Sequence, residues 1–270
     1  MKKEGYSIFC GIGDILVSRS MLDYYKTNEP LKVSPYLKLI ENLKPDRAKE
    51  HIAFIFNFMN LIFKPEHGYI VTDKQFPACS VIDLCSQGYK PFFKKVNKFL
   101  EDINAPVFEN YICVHTKARS LPTKELENVK NILEFINNFN YNVVVLGERE
   151  IEGAIEYQSV TVKSIYDIIV SSCKNIIDLT VPKLGNTPPD INKLKTDCTI
   201  MSRATVNINF GIGGSTCLAC SCGNSIVYLP SDRQREFEFL NNIIFKNTEN
   251  CERAYDVKET KKQITKILGK

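Results

Sequence analysis

Apolar positions along the chain fall into short continuous runs that alternate with helical stripes. A brief apolar stretch at 7–10 runs into Gly11-Ile12-Gly13-Asp14 and at once into a helical segment, 15–26. A polar joint with Pro30 and Pro35 follows, then expected helices over 36–43 and 47–63 and a β-rich run at 69–73. Pro91 opens PFFKKVNKFLEDI, whose apolar residues recur at helical spacing over 91–103. Asn104-Ala105-Pro106 reads as the boundary between a domain at 1–105 and a second at 106–255.

Past that boundary the pattern predicts strands at 111–116, 141–147, 175–180, 205–211 and 225–230, with a shorter one near 160–162. Helices are expected over 123–139, 164–173, 191–204 and 215–223. Alternation at this spacing requires mainly parallel sheets covered on both faces. The fold class is therefore α/β, with two Rossmann-like domains whose sheets face each other across a cleft. The tail, 256–270, sets Val257, Ile264, Ile267 and Leu268 on one helical face among lysines. It is expected to pack back on the N-terminal domain; a weak membrane-surface contact is the alternative.

Composition changes this picture little. The chain has 270 residues, 44% hydrophobic and 24% charged, with a formal net charge of +4. No basic block is dense enough to read as a nucleic-acid footprint, so no nucleic-acid partner is expected. No window approaches the roughly 18 apolar residues of a membrane span, and Gly11 and Asp14 interrupt the N-terminal apolar stretch. Ten scattered cysteines in such a chain read as free thiols in a reducing, cytoplasmic setting.

Three stretches carry candidate chemistry. In NFGIGGSTCLAC, a strand crosses Gly211, Gly213 and Gly214 and enters a helix with Ser215 and Thr216 at its start. Glycines let backbone N–H groups approach an oxyanion, and the helix end adds partial positive charge; the same residues also read as a connection with Ser215 as an ordinary N-cap. In VHTKARSLP, a strand end delivers Lys117 and Arg119 into a loop, a point charge and a planar fork suited to a diphosphate or simply solvated. His115 reads as a strand-end residue with a satisfied ring. In GIGD, Asp14 projects from a turn either as a general base or as a helix cap. Cys217, Cys220 and Cys222 lack the second ligand pair a zinc site needs, so they read as small buried thiols and no metal is expected.

Taken in order, these stretches resemble the ADP-heptose:lipopolysaccharide heptosyltransferase family, glycosyltransferase family 9. GIGD followed by ILVSRSML is similar to its N-terminal motif, and ICVHTKARSLPTKELENVKNILEFINNFNYNVVVLGERE to its middle segment. Ile177-Asp178-Leu179-Thr180 and SRATVNINFGIGGSTCLACSCGNSIVYLP follow its later layout. Where the family carries an acidic residue in the phosphate loop this chain has Ile212 or Gly213, and Cys217 or Leu218 where it carries a histidine. The resemblance implies a GT-B fold and an inverting, metal-independent glycosyltransferase without cofactor. A nucleotide-sugar donor would meet Lys117, Arg119, Gly147, Glu148, Thr180, Gly211, Gly213, Gly214, Ser215 and Thr216. A glycan or lipid-linked acceptor would meet Gly13, Ser18 and Arg19, with Asp14 as catalytic base. The alternatives are an epimerase-like enzyme on the same fold or an inactive protein that binds sugar nucleotides or glycans.

Overall fold

The computed structural model describes residues 4–25, 29–37, 45–79, 81, 85, 88–96, 98, 100–118, 121–151, 162–184, 190–230 and 235–269. The first sheet holds β1 (Gly5–Ile8), β2 (Leu31–Pro35), β3 (Tyr69–Val71) and β4 (Ala78–Cys79) in the order β3-β2-β1-β4, every pair parallel. Its helices are α1 (Ile12–Leu22) and α2 (Pro45–Ile62).

The rest of the chain supplies β5 (Tyr111–His115), α3 (Leu126–Ile136), β6 (Asn142–Leu146), β7 (Glu148–Ile151), α4 (Val162–Ser172) and β8 (Ile176–Asp178). It continues through β9 (Val181–Leu184), α5 (Ile191–Arg203), β10 (Val206–Phe210), α6 (Gly214–Cys222), β11 (Ser225–Tyr228), α7 (Arg235–Asn247), β12 (Cys251–Ala254) and α8 (Val257–Leu268). Six strands form a parallel sheet in the order β12-β11-β10-β5-β6-β8, and β7 pairs with β9 separately. Strand order reverses between β5 and β10, and in the first sheet between β1 and β4. Open parallel sheets hold ligands in the crevice beyond the strand ends at such points.

Period-two patterning decides which way each strand side chain points. Ile112, Val114, Val143 and Val145 face one apolar cluster, shared with Val129, Ile132, Leu133 and Ile136 of α3. Tyr111, Cys113, Val144 and Leu146 face the other. That second cluster continues into the first unit through Ile15, Phe58 and Met59, so one core joins the two sheets. Each such fully buried side chain contributes about 1.5–3 kcal/mol. Helix α1 packs on α6 and α2 on α5, which fixes the two glycine turns against each other.

Several expectations are corrected. Among the described residues 91–103 form no α-helix, only a 3-10 position at Lys98; the segment lies across the second unit as a strap. Three of its N–H groups are spent outside it: Phe93 donates to Thr248 Oγ1 (2.9 Å), Val96 to the Ser221 carbonyl (3.0 Å) and Asp102 to Thr199 Oγ1 (2.8 Å). Among the described residues, Leu100 alone closes a helical-type bond, to the Val96 carbonyl (3.2 Å). Phe93, Val96 and Leu100 are buried there, so their spacing serves packing without a helix. Pro35, read as part of a polar joint, ends strand β2. Most of the expected helix 36–43 lies outside the described residues, as do 160 and 161 of the short expected strand, whose last residue, Val162, opens α4. Strands β2, β4, β7, β9 and β12 and helix α7 were not expected. Finally, α8 packs on α3, β11 and β12 of the second unit, not on the N-terminal domain, because Ile264 and Leu268 complete that unit's own core. No helix among the described residues is long and apolar enough to cross a membrane.

Candidate functional site

Three neighbouring strands deliver the site. β5 ends in His115, β6 ends just before Gly147 and Glu148, and β10 ends just before the loop Gly211–Gly213 and α6. Because the strands are parallel, all three ends open on the same edge, at the point where strand order reverses.

Gly147 is at φ +103°, and a Cβ there would stand 2.6 Å from His115 Cε1 and collide with Thr116 Oγ1. Only glycine turns the chain so tightly, and the turn points Glu148 inward. The Glu148 backbone N–H donates to Thr116 Oγ1 at 3.2 Å. Its side chain, 8% exposed, pairs through Oε1 with Lys117 Nζ at 2.9 Å. The other oxygen, Oε2, is buried without a hydrogen-bond partner. A buried, half-satisfied carboxylate is costly, and such groups concentrate where a ligand completes them.

His115, Lys193 and Asp197 complete the cluster; His115 is the strand-end residue with a satisfied ring that the sequence suggests, while Lys193 and Asp197 were missed from the sequence. Lys117 N–H donates to His115 Nδ1 at 3.1 Å, which leaves the imidazole proton on Nε2. Burial, with Lys117 and Lys193 nearby, pushes the His115 pKa down to about 3, so the ring stays neutral. On α5, Lys193 Nζ pairs with Asp197 one turn later. Burial holds the Asp197 carboxyl above its ordinary range, against the pull of Lys193. The i,i+4 spacing of lysine and aspartate was visible, but nothing in the sequence places that helix over β5. Asn209, one step along the register that pairs Ile208 with Val114, stands beside His115 with Nδ2 unpartnered and buried.

Helix α6 begins inside the glycine loop. Gly211, at φ +71°, makes the turn, and Thr216 Oγ1 donates back to its carbonyl at 3.2 Å. Gly213 is the N-cap, so Ser215 lies within the helix, buried, and does not cap it. The N–H groups of Gly214, Ser215 and Thr216 fall in the first turn, where a helix has no carbonyl to receive them. Across from them, a Cβ on Gly13 would meet Cys217 Sγ at 2.9 Å, and one on Gly214 would meet Ile12 Cβ at 3.3 Å. The two helix starts are in contact because both positions are glycine.

Asp14 does not cap its helix either. Gly11 is the N-cap, and Asp14 is an exposed residue of the first turn with its carboxylate folded back over Gly11. Ser18 and Arg19 lie apart from this edge, buried in α1. Arg19 donates to the Ile62 carbonyl and so ties α1 to the end of α2. Thr180 sits past β8, one strand outward, donating its backbone N–H to Asp178 Oδ1 at 2.9 Å and accepting from Arg149 Nε at 3.0 Å. Arg119 lies outside the described residues.

Two Rossmann-like sheets in tandem, each with a glycine turn at its switch point, define an α/β protein of two mainly parallel units. No protein-family model matches the chain, and no curated protein matches it. A glycosyl transferase family 9 structure from Veillonella parvula is similar at 11% identity and TM-score 0.47, over 100% of this chain and 91% of that one. UDP-GlcNAc 2-epimerase from Methanocaldococcus jannaschii is similar at 12% identity and TM-score 0.43, over 99% and 70%. The molybdenum cofactor carrier protein from Chlamydomonas reinhardtii is similar at 11% and TM-score 0.38, over 60% and 100%. Likenesses this distant say nothing of activity, which rests on the residues of the chain itself.

Proposed function

We propose that the protein is a glycosyltransferase, of hexosyl or heptosyl type, that moves a sugar from a nucleotide-sugar donor to a hydroxyl of a glycan or lipid-linked acceptor. One observation carries this reading: Lys117, Glu148 and the start of α6 converge at the switch point of a six-stranded parallel sheet. In this reading the donor diphosphate takes the first-turn N–H groups of α6 together with Lys117, and with Arg119 from the same loop. Glu148 Oε2 needs a hydrogen-bond donor; the phosphates offer none, whereas the ribose hydroxyls do.

Asp14, on the helix start that touches α6, takes the proton of the acceptor hydroxyl as its oxygen attacks the anomeric carbon. Attack from the face opposite the leaving diphosphate inverts the configuration. Lys117 and the α6 N-terminus stabilise the charge that develops on the leaving group. Positive charge is thus supplied without a divalent ion, and a chelator should leave the rate unchanged.

The test is a transfer assay across UDP-, ADP-, GDP- and CDP-sugars with the parent and Asp14→Asn. The substitution should lower turnover by about 10²- to 10⁴-fold while leaving nucleotide affinity intact. Interconversion of donor sugars without an acceptor would mark an epimerase, and tight binding with no turnover in the parent a binding protein. Either result contradicts the proposal.

A further inference from the structure

Helix α6 carries three thiols that the proposed reaction does not use, and each meets a different neighbour. Cys217 lies against Gly13, and Cys222 is hydrogen-bonded with Cys198 of α5. Cys220 Sγ lies 3.1 Å from Cys251 Sγ, the first residue of β12. Both of the last two are free thiols, 2% and 7% exposed.

We propose that Cys220 and Cys251 are a disulfide-forming pair, oxidised by a low-molecular-weight disulfide. The sulfurs need close only about 1 Å to reach the roughly 2.05 Å of a disulfide bond. A bridging zinc ion, with Zn–S about 2.3 Å and tetrahedral angles, needs sulfurs about 3.8 Å apart, so the pair is too close for one. Among the described residues no group of three or more metal-type side chains adds further ligands. The partners are 31 residues apart in sequence and sit on two different elements, so the bond would staple α6 to the sheet. It would do so on the helix whose first turn forms the glycine loop.

Cys251 reacts first. It is the more exposed of the two and opens an edge strand that, among the described residues, pairs with β11 alone, the part of a sheet that frays most readily. Burial holds the Cys220 thiol protonated, with Cys251 as its hydrogen-bond partner. The Cys251 thiolate attacks one sulfur of oxidised glutathione, forms a mixed disulfide and expels one glutathione thiolate. Cys220 then attacks the Cys251 sulfur, its proton leaves with the second glutathione, and the protein disulfide closes. Two protein thiols are oxidised, one glutathione disulfide is reduced, and two glutathione thiols are released.

The full chain, incubated with oxidised or reduced glutathione, is unfolded in an alkylating agent and mapped by mass spectrometry without reduction. The expected oxidised product has lost two hydrogens and contains one linked peptide joining Cys220 to Cys251, with Cys113, Cys198 and Cys217 alkylated. Its melting temperature should rise, and Cys251→Ser should abolish both the link and the rise. Alkylation of both thiols after oxidation, or glutathione adducts with no link, would overturn the proposal. Neither outcome depends on the sugar-transfer reading.

Discussion

Removing Lys117 strands a carboxylate. Glu148 is buried and already has one oxygen without a partner, so Lys117→Ala should lower stability as well as nucleotide affinity. The stability loss belongs at the low end of about 1–3 kcal/mol, because Lys117 is itself 37% exposed. Adding Glu148→Gln removes the stranded charge; the double variant should recover stability in a denaturant melt but not nucleotide affinity by calorimetry. Recovery of both would make the pair purely structural. His115 gives a pH signature. Its folded ring stays neutral to about pH 3, whereas the unfolded ring takes a proton near 6.5. Unfolding therefore binds a proton between those values, and stability should fall on acidification from 6.5 by about 1.4 kcal/mol per pH unit. His115→Gln should flatten most of that slope above about pH 5, with His51, also lowered by burial, supplying the rest. A parent profile with no slope there would contradict it. At this scale the sequence exposed Lys117, Gly147 and the glycine loop, because strand ends and glycines are local signals. Lys193, Asp197 and the true setting of Arg19 depend on which helix covers which strand, which no local pattern encodes.

At the scale of elements, the contact between α1 and α6 rests on two missing side chains. Gly13→Ala puts a Cβ 2.9 Å from Cys217 Sγ, and one of the helices must shift. We expect a cost of about 1–3 kcal/mol, relieved in part by Cys217→Ala. Strict additivity in a double-mutant cycle would show that the helices do not meet there. Helix α8 is held by an Asp256 cap on the Glu259 N–H (2.7 Å), with Glu259 returning to the Tyr255 N–H (2.8 Å). Its Ile264 and Leu268 are buried, so deleting 257–270 should lower the melting temperature in lipid-free buffer. An unchanged melt with lost binding to anionic vesicles would make the tail a membrane contact. Five strands of the six-stranded sheet, β5, β6, β8, β10 and β11, are legible because their apolar runs are bounded by turns, whereas β12, with Glu252 and Arg253 at its centre, carries no such run. The strap at 91–103 was misread: Phe93, Val96 and Leu100 satisfy helical spacing, but tertiary partners claim the backbone donors of Phe93, Val96 and Asp102.

For the whole molecule, a single core shared by the two sheets means that neither half should unfold alone. Scanning calorimetry should show one transition, and two resolved transitions would separate the units. The alternation of strand and helix made the two-sheet plan legible, whereas the join between the sheets was not, since it depends on glycines meeting side chains more than 200 residues away. That join sets the start of α1, with Asp14, against a helix start suited to a diphosphate, and the central claim is that a nucleoside diphosphate binds there. Calorimetric titration of the parent and of Lys117→Ala/Glu148→Gln with UDP, ADP, GDP and CDP measures this most directly. The account predicts that at least one binds the parent at one site per chain, and that the double variant, still folded, loses at least tenfold in affinity, about 1.4 kcal/mol. No binding by any of the four, or equal binding to parent and double variant, would contradict it.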